Sequence, residues 1–193
     1  MASRPSQLPR IRHAGFVVVE RLLRWVPSPY ARARALRLLG ARIGRNVRIH
    51  EIRFLNLESG FANLHVEDDV HVGLDCLLDL KGPLHLGRGA VLGPRVVVLT
   101  HQDAGSHHGS AVAEVIGTFV GRTSVGAGSF VGVSSTVLCG ADIGTGSVVA
   151  AGSVVTGPTP DATVVAGVPA RPVRSIEAEL AALRTRRAGP ATS

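Results

Sequence analysis

The stretch from Val125 to Gly157, VGAGSFVGVSSTVLCGADIGTGSVVAAGSVVTG, repeats in sixes. Val125, Val131, Val137, Ile143, Val149 and Val155 are branched aliphatics at one fixed spacing. Four residues after each stands a small one: Ser129, Ser135, Ala141, Ser147, Ser153 and Thr159. Gly126, Gly132 and Gly144 directly follow three of the aliphatics, and Phe119 extends the register upstream. A period of six fits neither the 3.6 of a helix nor the plain alternation of a strand. It divides into strand-plus-turn units, and self-similarity at a fixed period marks a solenoid. A flexible Gly/Ser linker has no reason to place a β-branched residue at every sixth position.

The pattern predicts three units closing one triangular coil. The aliphatics point inward and stack on their equivalents in adjacent coils, about 4.8 Å away. The small residues fill corners, and glycine supplies turn dihedrals that other residues reach only with strain. An aromatic content of 4% agrees with a narrow interior.

The same period recurs upstream with shifts of register. Ile43, Ile49, Leu55 and Phe61 are six apart, then Val66, Val72 and Leu78, then Leu86, Leu92 and Val98. One segment, THQDAGSHHGSAVAEVIGT (100–118), abandons it. Loops on rigid scaffolds carry function disproportionately. The expected division is a basic, partly helical segment over 1–40, broken at VPSPY, a rod over 41–174, and a helix and tail over 175–193. In that helix Ser175 is the expected N-cap, acids come early and Arg184, Arg186 and Arg187 late.

The 193 residues suit one domain with short extensions, and 45% hydrophobic residues speaks against general disorder. Cys76 and Cys139 form no CxxC pair, which fits a reducing cytosol. A net charge of +7 points to anionic partners such as phosphate-bearing ligands or anionic lipid. No nucleic-acid motif or basic–aromatic platform appears, so nucleic acid is not an expected partner. The apolar run AGFVVVERLLRWV (14–26) is broken by Glu20, Arg21 and Arg24, short of a membrane span and unlike a signal peptide. Its arginines beside Leu22, Leu23, Trp25 and Val26 suit weak contact with an anionic membrane, so the expected location is cytoplasmic, with contact at the membrane's inner face.

The hexads, the loop opening LTHQD and the ending VVAAGSVVTGPTPDATVVAGVPARPVR resemble the hexapeptide-repeat acyltransferases, above all the sugar O-acetyltransferases of the galactoside, maltose and surface-polysaccharide type. The resemblance covers roughly residues 40–175. It implies a left-handed parallel β-helix, a hand that opposes the usual right-handed crossover. It implies a homotrimer, with acetyl-CoA as acyl donor in the groove between neighbouring rods and no metal. It also implies an acceptor hydroxyl, on a sugar or glycoside, that attacks the thioester directly while a histidine takes its proton. On this sequence the base is His101, and Asp75 falls at an acceptor-binding position. Ala151, Thr156 and Phe130 fall at positions near the donor, and Arg171 and Arg174 near its phosphates. Gly157 stands where many members have lysine, Phe130 where many have tryptophan, and Val133 where many have serine or alanine.

The chemistry stands beside the resemblance. An alcohol needs a base as it attacks, and histidine's ordinary pKa suits the task. His101 follows the inward Val98 at the edge of the rod, a fixed position. His107 and His108 share its loop as candidates for acceptor contact, and Asp103 or Glu114 is available to orient the imidazole. His50, His65, His71 and His85 fall between inward aliphatics and are expected to face outward. Two other readings stay open. A zinc enzyme of the carbonic-anhydrase kind would draw on His65 or His71 with His101 and His107. A non-catalytic β-helix scaffold would bind no acyl-CoA.

Overall fold

The structure is a computed structural model that describes residues 8–106 and 109–188. The hexads fold into coils whose short strands stack into three parallel faces. The first face holds β1 (Arg42–Ile43), β4 (Leu64–Val66), β7 (Leu84–Leu86), β12 (Thr123–Val125) and β15 (Asp142–Ile143). The second holds β2 (Arg48–Ile49), β5 (His71–Val72), β8 (Val91–Leu92), β13 (Phe130–Val131), β16 (Val148–Val149) and β18 (Thr163–Gly167). The third holds β3 (Arg53–Leu55), β6 (Leu77–Asp79), β9 (Val97–Val98), β14 (Thr136–Val137) and β17 (Val154–Val155).

All six hexad aliphatics from Val125 to Val155 are buried and lie in inward rows: Leu92, Val131 and Val149 on one face, Val98, Val137 and Val155 on another. The small residues do more than fill corners. Ser129 Oγ donates to Gly144 O at 2.7 Å, Ser135 Oγ to Ala150 O at 2.9 Å and Ser147 Oγ to Pro160 O at 2.7 Å. A buried hydroxyl must find such a partner, and here each one ties its coil to the next.

Three expectations are corrected. Leu55 is 38% exposed, and Phe54 takes the inward place, paired with Leu78, because β3 is a three-residue strand with its middle residue inside. Phe119 is 54% exposed and lies outside the rod, because β12 returns to register only at Val125, over Leu86. The glycines after the aliphatics are not there for their dihedrals. A Cβ on Gly126 or Gly132 would stand 2.6 Å from a backbone nitrogen of the next coil, so close approach selects glycine there. Positive φ belongs to other turn residues, among them Gly128, Gly146 and Gly152.

The segment that breaks the period leaves between β9 and β12. It carries β10 (His101–Gln102), α1 (Ala111–Ile116) and β11 (Phe119–Val120), and β10 and β11 pair as an antiparallel ribbon. Two helices precede the rod: αN1 (Leu8–Arg24) and αN2 (Pro29–Leu38). Ser28 caps αN2, accepting the Ala31 N–H at 3.3 Å, with Pro29 in its first turn. The helices pack on β1, β2 and β3. Buried Arg32 fixes them there: it donates to Leu23 O at 3.0 Å, to Val26 O, and to Ile49 O at 2.7 Å. Beyond the last coil, β19 (Ala170–Ser175) folds back antiparallel on β18, and the helix αC (Glu177–Ala188) follows. Ser175 Oγ accepts the Glu177 N–H at 3.2 Å, but the N-cap position falls one residue later than expected, at Ile176, whose carbonyl accepts the Leu180 N–H at 3.0 Å.

Candidate functional site

The corner between the third and first faces holds a cluster of hydrogen-bonded polar side chains. The Asp79 side chain, last in β6, is wholly buried. Its Oδ2 accepts the Thr100 N–H at 2.8 Å, and the Thr100 hydroxyl lies 2.9 Å from the same oxygen. Its Oδ1 accepts from Asn56 Nδ2 at 2.6 Å and from the Lys81 N–H at 3.2 Å. His101 Nδ1 lies 2.6 Å from Oδ2. Burial pushes the Asp79 carboxyl up, but the donors from Asn56, His101 and Thr100 outweigh it and hold the group below the usual carboxylate range. An ionised carboxylate only accepts, so Nδ1 carries a proton, and in the neutral imidazole the lone pair is then on Nε2. The His101 side chain is 25% exposed. An imidazole held in this tautomer, at the rim of a rigid rod, is able to take a proton from a bound hydroxyl.

Asp79 and Asn56 were not among the sequence candidates. The signal for Asp79 lies in the stacking: Leu78 pairs with Val98, which sets Asp79 beneath Leu99, two residues short of His101. Asn56 reaches the site because a left-handed φ of 56° turns the chain at the corner. No hydrogen bond joins Asp103 to His101 among the described residues. Asp103 shapes its own turn, its Oδ1 accepting from the Gly105 N–H at 2.9 Å and the Ser106 N–H at 2.7 Å. Glu114 lies on α1 and makes no hydrogen bond to His101 among the described residues.

The remaining candidates fall elsewhere. Asp75 is exposed at the turn between β5 and β6, a different corner from that of His101. It holds the left-handed turn position, with φ 57°, that Arg95, Ser134 and Gly152 hold in the coils above. Phe130 and Ala151 meet in one groove of about 440 Å³ on the second face, with His50, His71, Leu74 and Val133. Its surface is almost wholly apolar, which suits an alkyl-amide chain more than a charged one. Thr156 and Arg171 line a separate cleft of about 160 Å³ near the C-terminal end of the rod, with Gly157 beside them. Arg174, on exposed β19, pairs with Glu179 at 2.6 Å. His107 and His108 lie outside the described residues. His50, His65, His71 and His85 occupy outward strand and turn positions and stack in pairs, His50 on His71 at 5.0 Å and His65 on His85 at 4.8 Å between ring centroids. Among the described residues no three His, Cys, Asp or Glu side chains are grouped to hold a metal ion, and no helix is long and apolar enough to cross a membrane.

Residues 122–157 match the family described as the hexapeptide repeat of succinyl-transferase. The chain superposes on a hexapeptide-repeat-containing acetyltransferase of Vibrio cholerae, with TM-score 0.76 and 19% identity over 89% of this chain and 94% of that one. That protein is also known with acetyl-CoA bound. A maltose O-acetyltransferase of Clostridium difficile gives TM-score 0.71 and 24% identity, over 89% and 90% of the two chains. A galactoside acetyltransferase in complex with coenzyme A gives 0.69 and 20%, over 93% and 87%. At these identities the likeness establishes the fold. The rod is a left-handed parallel β-helix of the hexapeptide-repeat kind.

Proposed function

We propose that this protein is an acyl-CoA-dependent O-acyltransferase that moves an acetyl group to a hydroxyl of a sugar or glycoside. The observation that carries the reading is the 2.6 Å contact between His101 Nδ1 and buried Asp79, at the corner where the period breaks. In this reading residues 41–174 carry the chemistry, and 1–40 and 175–193 are appendages. The acceptor oxygen attacks the thioester carbonyl as its proton passes to His101 Nε2. The carbon–sulfur bond then breaks, and the proton on the imidazolium returns to the leaving thiolate. Asp79 is a positioning residue that stabilises the imidazolium.

The pantetheine arm fits the apolar groove of Phe130 and Ala151, and Thr156, Arg171 and Arg174 lie further along toward its phosphates. Groove and base occupy different sides of one rod, so a homotrimer in which one protomer's base meets its neighbour's groove completes the site. Asp75 would then touch the acceptor from the neighbouring corner, and His107 and His108 would act through the same loop. The relatives support the donor and acceptor classes: one binds acetyl-CoA, one coenzyme A, and two are a maltose and a galactoside acetyltransferase. The reaction belongs in the cytoplasm, where acyl-CoA is made. Exposed Val18 and Leu22 on αN1, with exposed Trp25 just past its end, among arginines, suit weak attachment to the anionic inner leaflet, which salt-sensitive pelleting with anionic liposomes would reveal.

The test is acetyl-CoA turnover against a panel of glycosides, with acetylated product read by mass spectrometry. His101→Ala is expected to lower kcat by about 10²–10⁴-fold while leaving assembly and donor KM intact. A variant that keeps its turnover would end the assignment of His101.

A further inference from the structure

The first face, beside the corner that carries His101, holds an open cleft of about 480 Å³. We propose that this cleft binds an anionic group, a phosphate ester or a carboxylate, carried by the acceptor. Only the word acceptor rests on the acyltransferase reading; the anion site stands on its own residues.

Successive outward positions build the cleft. Arg42 on β1 pairs in register with His65 on β4, and His65 with His85 on β7. Parallel neighbours lie about 4.8 Å apart, so three nitrogen-bearing side chains stand in one row across about 10 Å. Arg122, just before β12, joins the row from the next coil. The lining contains no carboxylate. The side chains of Arg42 and Arg122 make no hydrogen bond or ion pair among the described residues. Two guanidiniums converging without an anion are unusual, because arginine in a cleft commonly meets a carboxylate or phosphate in a two-pronged bond. The one carboxylate touching the histidine row is Glu67, 3.0 Å from His85 Nε2. It leaves both arginines unpaired. Burial, then the positive fields of His85, Arg42 and Arg122, push the His65 imidazole below its ordinary pKa against the opposing pull of Glu67. A bound anion would reverse that balance.

Two further details fit a sugar that bears the charge. Asn63 spends its amide N–H bonds on Leu80 O at 2.9 Å and Lys81 O at 3.2 Å, which leaves its carbonyl oxygen to accept a hydroxyl. The cleft is also locked to the base. Val120 pairs with His101, the Gly121 N–H donates to Thr100 O at 3.0 Å, and the Thr123 N–H donates to Pro83 O at 3.0 Å. Arg122 thus stands two residues from the ribbon partner of His101, about 7 Å of extended chain. A charged substituent held by the arginines would leave the sugar ring next to the imidazole.

The test is direct binding to the full chain, by calorimetry at low salt, of glucose 1-phosphate, glucuronate, inorganic phosphate and neutral glucose. Glucose 1-phosphate or glucuronate is expected to bind at least 10-fold more tightly than glucose, with affinity falling as salt rises. The comparison between those two ligands separates phosphate from carboxylate, and inorganic phosphate shows whether the sugar contributes. Joint Arg42→Gln and Arg122→Gln is expected to weaken the anionic ligand by 10-fold or more. Both side chains are exposed and unpartnered, so the fold has little to lose; unchanged circular dichroism confirms this. Arg95→Gln, an exposed arginine outside the cleft, is the control and should bind as wild type. Donor binding separates the alternatives: if the double variant weakens coenzyme A equally, the cleft serves the donor's phosphates and the proposal falls. It falls equally if no anion binds more tightly than glucose, or if the double variant binds like wild type. Because binding needs no turnover, failure of the acyltransferase reading would leave this outcome legible.

Discussion

Asp79 is cut off from water, and a buried carboxylate survives only when its oxygens are met by donors. Here they are, from Asn56, Lys81, Thr100 and His101. Its pKa in the folded chain lies below the ordinary value, so folding favours the ionised form. The sign follows: Asp79 contributes stability above the ordinary carboxylate range, and the contribution is lost as pH falls through the folded value. Asp79→Asn is therefore expected to flatten the acid limb of stability measured by denaturant unfolding across pH. It should also lower kcat by about 10²-fold, because an amide no longer fixes the tautomer or balances the imidazolium. A purely structural role would leave the pH profile of kcat unmoved. In a positioning role, Asp79→Asn is expected to displace the pH profile of kcat from that of the parent.

At the scale of the coil, stacking tolerates no extra atom where two turns meet. A Cβ on Gly132 would come 2.6 Å from the backbone nitrogen of Ala151. Neither side is a flexible side chain, so coils must part. Gly132→Ala is expected to cost about 2 kcal/mol in chemical denaturation, and a Gly152→Ala control should strain the chain by its φ of 69° without that collision. The distinction separates two kinds of glycine that look alike in the sequence. The inward aliphatics were legible because their period is set by geometry alone: each hexad must turn one corner, and each corner leaves one side chain inside. Leu55 and Phe119 were misread because the period was continued across places where the chain changes coil length or departs altogether. Asp79 went unseen for a related reason. Its tie to His101 runs between coils, and the register of one coil on the next depends on turn lengths that the hexads upstream do not keep constant. Phe130 and Ala151 do converge on one groove. What the chain alone did not reveal is that base and groove face different directions.

At the scale of the whole molecule, that divergence carries an expectation about assembly. If neighbouring rods complete each other's sites, a subunit lacking the base and one lacking the groove should rescue each other. Mixing His101→Ala with Ala151→Trp chains through co-expression is expected to restore a fraction of wild-type turnover, although each variant alone has little. Activity in the mixture no higher than in the separate proteins would show that each rod works by itself. The terminal appendages bear on a different matter. A stack of parallel coils has no intrinsic length, since the surface at either end is another copy of the surface inside. αN1 and αN2 cover one end, held by Arg32, and β19 reverses direction at the other. These are what make the protein a particle of definite size: without a closed top and bottom, one rod's last coil would be a template for the next rod's first, and the chain would grow as a fibre.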